Sequence, residues 1–193
     1  MPTSIDYPIL LFSDATAWAD WLEEHHASER GVWVRLAKKD ADLESVSRGD
    51  ALDVALCYGW IDGQAKSFDP DSWLQKFTPR GKRSMWSKRN REYVERLIES
   101  GAMRPAGLAA IEAAKQDGRW ERAYDSPANA TVPDDLQAAL AEAPGAKEFF
   151  DTLTGSNRFA ILHRIQTAVK PETRARRIAK FVEMLARRET IYP

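Results

Sequence analysis

Between Gly59 and Arg91 the chain reads GWIDGQAKSFDPDSWLQKFTPRGKRSMWSKRNR, and its chemistry concentrates there. From Lys76 to Arg91 come seven bases (Lys76, Arg80, Lys82, Arg83, Lys88, Arg89, Arg91) and no acid. Trp60, Trp73, Phe77 and Trp86 are interleaved with or just precede them. Bases that gather where a helix begins stand beside its unpaired amides, a combination suited to a phosphate or carboxylate. The same bases cost the helix ~0.3–1 kcal/mol each at exposed positions, so a compensating acid is expected. Three sources are open: Asp62 or Asp69 folding back onto Arg80 and Arg83, a small anionic ligand, or a nucleic-acid backbone. The expected pocket is lined by Lys66, Arg80, Arg83, Trp86 and Asn90. Trp73 or Trp86 can stack on a planar ligand, but an indole usually packs a core.

Other chemistries are excluded by what is missing. There is no G-x-G-x-x-G, H-E-x-x-H, C-x-x-C or G-x-S-x-G. Gly81-Lys82-Arg83-Ser84 ends like a phosphate-binding loop, but Lys76 stands where the earlier glycine is required. The single cysteine, Cys57, excludes an internal disulfide and a multi-cysteine metal site. His25 and His26 are helical neighbours that point apart, and His163 lies among Ile161, Leu162 and Ile165, as a structural histidine does. No metal and no cofactor is expected. Asp62, near Lys66, is the one candidate general base should the protein be an enzyme.

The elements that must position these residues fall into two halves. Ser13 and Asp14 offer an N-cap for a helix to about Ala27, with Trp18, Leu22 and His25 on one side. Val32–Leu36 reads as a strand. Ser47 and Asp50 have capping-box spacing before a helix carrying Leu52, Ala55 and Leu56, which Gly59 ends in a left-handed conformation. Trp60-Ile61 and Gln64–Phe68 flank Asp62-Gly63, a hairpin or bulge signal, and Trp73–Thr78 follows the turn Asp69–Ser72 as another strand. The second half is helical: Ser87 to Ser100 with Val94, Leu97 and Ile98 inward and Asn90 on the same side, then Pro105 to Gly118. Further helices are expected at 133–142, 146–152, 157–168 and 172–187. On the last, Ile178, Phe181, Val182 and Leu185 face inward, and Glu183 can pair with both Lys180 and Arg187.

The expected fold is therefore α+β: a small, mostly antiparallel sheet with helices at 1–118, a linker at 118–132, and a helical region at 133–193. Residues 1–75 hold 14 acidic and 6 basic residues, whereas 76–193 hold 15 and 22. That asymmetry fits two attracting layers or a basic surface for an anionic partner. No stretch reaches the ~20 apolar residues of a membrane span, and the first residues lack a secretory pattern, so a cytoplasmic setting is expected.

A family resemblance rests on Ala51-Leu52-Asp53, Cys57 through Gln64, Lys66, Phe77-Thr78-Pro79-Arg80, Ser84, Trp86-Ser87 and Asn90. It continues through Asn157-Arg158-Phe159, Lys170–Arg174 and Arg177-Ile178. The chain resembles the bacterial YdeI/OmpD-associated (OmdA) family, often labelled bacteriocin-protection proteins. The resemblance implies a YjbR/CyaY-like first portion and an OmdA-type helical second portion. It marks Trp60, Asp62, Lys66, Thr78, Arg80, Ser84, Trp86 and Asn90, without deciding between ligand binding and architecture. The expected function is a non-catalytic module for a small anionic ligand, in stress or antimicrobial tolerance. The alternatives are nucleic-acid binding through 76–91, an enzyme using Asp62, and frataxin-like iron handling, for which Asp14, Asp20, Glu23 and Glu24 are the nearest helical acids.

Overall fold

The computed structural model describes residues 7–193. Two compact units share the chain, one formed by Met1–Ser84 with Asn90–Glu121, the other by Met85–Arg89 with Arg122–Pro193. Among the described residues there are eight helices and four strands, an α+β arrangement. None of those helices is long and apolar enough to cross a membrane.

The first unit begins with β1 (Ile9–Leu11) and α1 (Ala15–His25), whose N-cap Asp14 accepts the Ala17 amide at 2.9 Å. β2 (Val32–Ala37) follows, then α2 (Arg48–Cys57). The capping box is present: Ser47 Oγ accepts the Asp50 amide at 3.1 Å and donates to the Asp50 carboxylate at 2.7 Å. β3 (Trp60–Ser67) and β4 (Ser72–Pro79) form an antiparallel hairpin with a bulge between Asp62 and Ala65. The Asp62-Gly63 signal thus becomes a bulge within one strand rather than a turn. Strand order is β1-β2-β4-β3, antiparallel except for the parallel β1–β2 pair. β1 is an element that the sequence reading did not anticipate.

Alternation along β2 sorts the sheet into two faces. Val32, Val34 and Leu36 are buried, whereas Trp33, Arg35 and Ala37 are half-buried. An aromatic cluster gathers around Trp18 of α1, which touches Phe12, Trp21, Trp60 and Phe77 at centroid distances of 4.9, 5.4, 6.3 and 5.6 Å. Both buried indoles are satisfied: Trp18 donates to the Ala51 carbonyl and Trp60 to the His26 carbonyl, each at 3.1 Å.

α3 (Lys88–Glu99) buries Asn90, Val94 and Leu97. Ile98, expected inward, is 44% exposed because it lies a further ~100° around the helix from Leu97. α4 (Pro105–Gln116) lays Gly107 against the end of α2. A Cβ there would stand 2.2 Å from the Cys57 carbonyl oxygen and 2.8 Å from that of Leu56.

The second unit contains α5 (Asp134–Ala141), α6 (Pro144–Thr152), α7 (Gly155–Gln166) and α8 (Pro171–Ala186). Its core is built from Leu136, Phe150, Ile161, Ile165, Phe181 and Leu185, among others. The strip Met85–Arg89 joins it through a parallel bridge between Ser87 and Tyr124 and an ion pair of Lys88 with Asp125 at 2.6 Å.

Two glycines should respond oppositely to one methyl group. Gly107→Ala forces backbone atoms apart and should cost about 1–3 kcal/mol. Gly49→Ala, near the start of α2, meets only Ser47 Oγ at 3.8 Å and should be neutral or gain about 0.5–1 kcal/mol from helix propensity. Urea denaturation of both variants reads the difference; equal effects would contradict the close approach of α4 to α2.

Candidate functional site

Arg80 leaves β4 with its amide donating to the Gly59 carbonyl at 2.9 Å, which fixes where the basic loop starts. Gly81–Ser84 then closes on itself: Gly81 donates to Ser84 Oγ at 3.0 Å, and the Ser84 amide donates to the Gly81 carbonyl at 2.9 Å. Arg119, just beyond α4, clamps this turn by donating to the Ser84 carbonyl at 2.9 Å. Its Nε also donates to both Asp117 carboxylate oxygens, at 2.9 and 2.7 Å. An open cavity of about 430 Å³ lies here, lined by Arg80, Lys82 and Arg119 together with Ala110, Ala113 and Asp117 of the α4 side.

Three cations and one carboxylate line this cavity, and that carboxylate is held by Arg119. The C-terminal end of α4 opposes the resulting field with about half a negative charge, too little to reverse it. Lys82 and Arg83 are exposed, without an ion pair among the described residues. Two guanidinium nitrogens of Arg80 are buried, so that side chain also serves the fold. Arg119 and Asp117 were not foreseen. They sit at the end of α4 and in the stretch read as a linker, and only the fold brings them to the Gly81–Ser84 turn.

The other expected site residues are distributed elsewhere. Lys66 pairs across from Leu74 and holds its ammonium 4.4 Å from the Trp33 ring. Arg80 lies six residues beyond Leu74 along the same strand direction, roughly 20 Å away at 3.3 Å per residue. Lys66 and Arg80 therefore do not share a pocket. Thr78 is half-buried on β4 opposite Ile61, and Ser84 is the hinge of the turn just described. Trp60 is a core residue, 1% exposed. Asn90 is buried in α3. Trp86 is buried and belongs to the strip of the second unit, its carbonyl accepting the Tyr124 amide at 3.0 Å.

Neither expected internal acid reaches Arg80 or Arg83 as an ion partner. Asp62 pairs with Arg48 at 3.2 Å, and Asp69 pairs with Arg35 at 2.8 Å. Ser72, with the backbone amides of Asp71 and Ser72 and with Arg35, holds the Asp69 carboxyl below its ordinary value. Arg96 takes Asp53 at 2.7 Å rather than Glu92 on its own helix. Burial, with Asp53 nearby, pushes the Cys57 thiol up, as for an unreactive core cysteine. Of the acids weighed for iron, Asp14 caps α1, and Glu23 accepts the Tyr58 hydroxyl at 2.8 Å.

Comparison with known families separates the two ends of the chain. Residues 10–110 match the family model described as Domain of unknown function (DUF8412). The chain belongs to that family. Residues 129–188 match the model described as Bacteriocin-protection, YdeI or OmpD-Associated (OmdA). The expected YjbR/CyaY-like first portion is thereby corrected, since DUF8412 takes its place, while the OmdA resemblance of the second portion holds. No curated protein and no solved structure matches the chain. Arg80–Ser84 and the first half of α4 lie within the DUF8412 match, whereas Ala113, Asp117 and Arg119 lie beyond it.

In the OmdA-matching portion the motif residues are chiefly architectural. Arg158 stacks 4.4 Å from the Phe150 ring, and Arg174 binds Asp135 at 2.8 Å. His163 sits edge-to-face on Tyr124 at 4.5 Å. Burial, then the charges of Arg164 and Arg177, hold its imidazole below the ordinary 6.5. The unfolded chain therefore takes up this proton at higher pH than the folded one. Stability from neutral His163 is complete above about 6.5 and is lost as pH falls through the folded value. Melting temperature should drop more between neutral pH and about pH 5 for the wild type than for His163→Gln. Parallel declines would mean that another group senses the proton.

Proposed function

We propose that the protein is a non-catalytic, cytoplasmic binding module whose first unit holds a small anionic metabolite beside Arg80, Lys82 and Arg119. The observation that carries this reading is the cavity lined by three cations and a single, already bonded carboxylate. The ligand carries a phosphate or carboxylate that meets the guanidinium and ammonium groups, with a compact remainder against the alanine wall of α4. The bacteriocin-protection wording of the OmdA description supports a role in stress or antimicrobial tolerance.

A thermal-shift screen of nucleotides, phosphorylated metabolites and carboxylates tests it. A ligand at a hundredfold excess over Kd should add about 2.7 kcal/mol of stability. Lys82→Glu should abolish the shift while leaving the melting temperature of the free protein unchanged, because Lys82 is exposed. A shift that survives Lys82→Glu, or silence from the whole panel, removes this site from consideration.

A second reading is single-stranded nucleic acid, and it is favoured by the outer face of the sheet rather than by segment 76–91 alone. There Trp33 lies 4.4 Å from the Lys66 ammonium and 5.6 Å from that of Lys76. Ile9 and Leu11 beside them are each 45% exposed. Bases stack on such an indole while the lysines swing to phosphates. Affinity for a labelled oligonucleotide should then fall with salt by a log–log slope of about 0.7 per phosphate contacted, and the slope should shrink in Lys66→Gln/Lys76→Gln. Absence of binding at the lowest salt ends this reading.

A further inference from the structure

α8 carries Arg177, Lys180, Phe181 and Met184 on one stripe, because residues three and four apart share a helix face. With Arg164 of α7 and Ile191 beyond α8 they enclose an open cavity of about 430 Å³ within the second unit. The chain end is fixed at this wall. Asn157 Oδ1 accepts the amides of Ile191 and Tyr192 at 3.0 and 2.9 Å, and its Nδ2 donates to the Tyr192 carbonyl at 3.1 Å.

The charge balance here is more one-sided than in the first unit. Three cations line the cavity and no carboxylate does. Glu183, expected to pair with both Lys180 and Arg187, is taken by Arg187 at 2.6 Å. Arg177 donates to the Arg164 carbonyl, and Arg164 donates to the Ala160 carbonyl at 3.3 Å. Those carbonyls orient the guanidiniums without neutralising them, and among the described residues none of the three cations has an ion pair. Like charges around one cavity repel, and a bound anion relieves that repulsion. Beneath them Phe181 is buried and Met184 and Ile191 are half-buried, an apolar floor whose thioether adapts to varied shapes.

We propose that this cavity binds a small amphipathic anion: a phosphate or carboxylate head held by Arg164, Arg177 and Lys180, on a short apolar chain lying against Phe181, Met184 and Ile191. The head group alone lacks the floor, and a neutral amphiphile lacks the head, so both parts are needed.

The test uses the full chain with methyl-labelled methionine, which gives four methionine signals, Met184 among them. Octyl phosphate, kept below its aggregation threshold, should move the Met184 signal saturably. Its apparent affinity should exceed that of inorganic phosphate or octyl glucoside by at least about tenfold. Lys180→Glu, at an exposed position, should weaken octyl phosphate by about tenfold or more with the Met184 signal still dispersed. Lys82→Glu, in the other cavity, should leave it unchanged. Vesicles of phosphatidylglycerol identify the source of the head group. Co-sedimentation lost in Lys180→Glu assigns it to a membrane lipid, and no co-sedimentation assigns it to a free amphiphile. An equal response to octyl glucoside, an unmoved Met184, or full affinity in Lys180→Glu overturns the proposal.

Discussion

The first unit depends on where the Trp18 indole is held. Its ring is in contact with aromatic residues of the β1–α1 connection, of its own helix, of β3 and of β4, and its N–H is bonded to α2. One side chain thus ties the helix layer to the sheet at a point where every neighbour is itself large and rigid. Burying indoles without a hydrogen-bond partner would be costly, and both Trp18 and Trp60 avoid that cost by using main-chain carbonyls. Once Trp60 and Phe77 are anchored, the position of the β4 end is determined, and so is that of Arg80. The cation-lined turn is therefore an extension of the aromatic core rather than a separate loop with freedom of its own.

Local signals were legible and long-range pairings were not. Asp14, Ser47 with Asp50, and Gly59 each announced a helix end, and each does so through contacts within a few residues. β1 escaped because three residues carry too little alternation, and its partner in a parallel pair lies more than twenty positions away. Charge partners were misjudged for a related reason. An i,i+4 helical pair is worth only ~0.3–0.5 kcal/mol, so a second element offering both carboxylate oxygens readily wins, as Asp53 does for Arg96. The same freedom sent Asp62 to Arg48, Asp69 to Arg35 and Glu183 to Arg187 alone.

The candidate site was half legible for geometric reasons. Arg80, Lys82 and Arg83 are adjacent in sequence and remain adjacent in space, so their clustering could be read directly. Lys66 could not be placed without knowing that β3 and β4 are each eight residues long. Arg119 could not be found at all, since nothing in Gly118-Arg119-Trp120 announces a contact with Ser84. The two cation-lined cavities differ in what lies behind the charge: small alanine side chains in the first unit, a phenylalanine, a methionine and an isoleucine in the second. That contrast favours compact anions in one and amphiphilic anions in the other.

The strip Met85–Arg89 makes the second unit discontinuous along the chain. The backbone passes from one unit to the other three times, at Ser84, at Arg89 and at Glu121. Residues 122–193 are thus not a self-contained cassette: carried into another gene by a single recombination, they would arrive without the segment that bridges Tyr124 and neutralises Asp125. Burial opposes the charge on Asp125, and bonds from Lys88 and Gln166 outweigh it, leaving the carboxyl below its ordinary value. A transplanted fragment would keep the half-buried acid and lose the lysine. Residues 122–193 thus depend on a strip, reaching into the first turn of α3, that lies well before them in the chain.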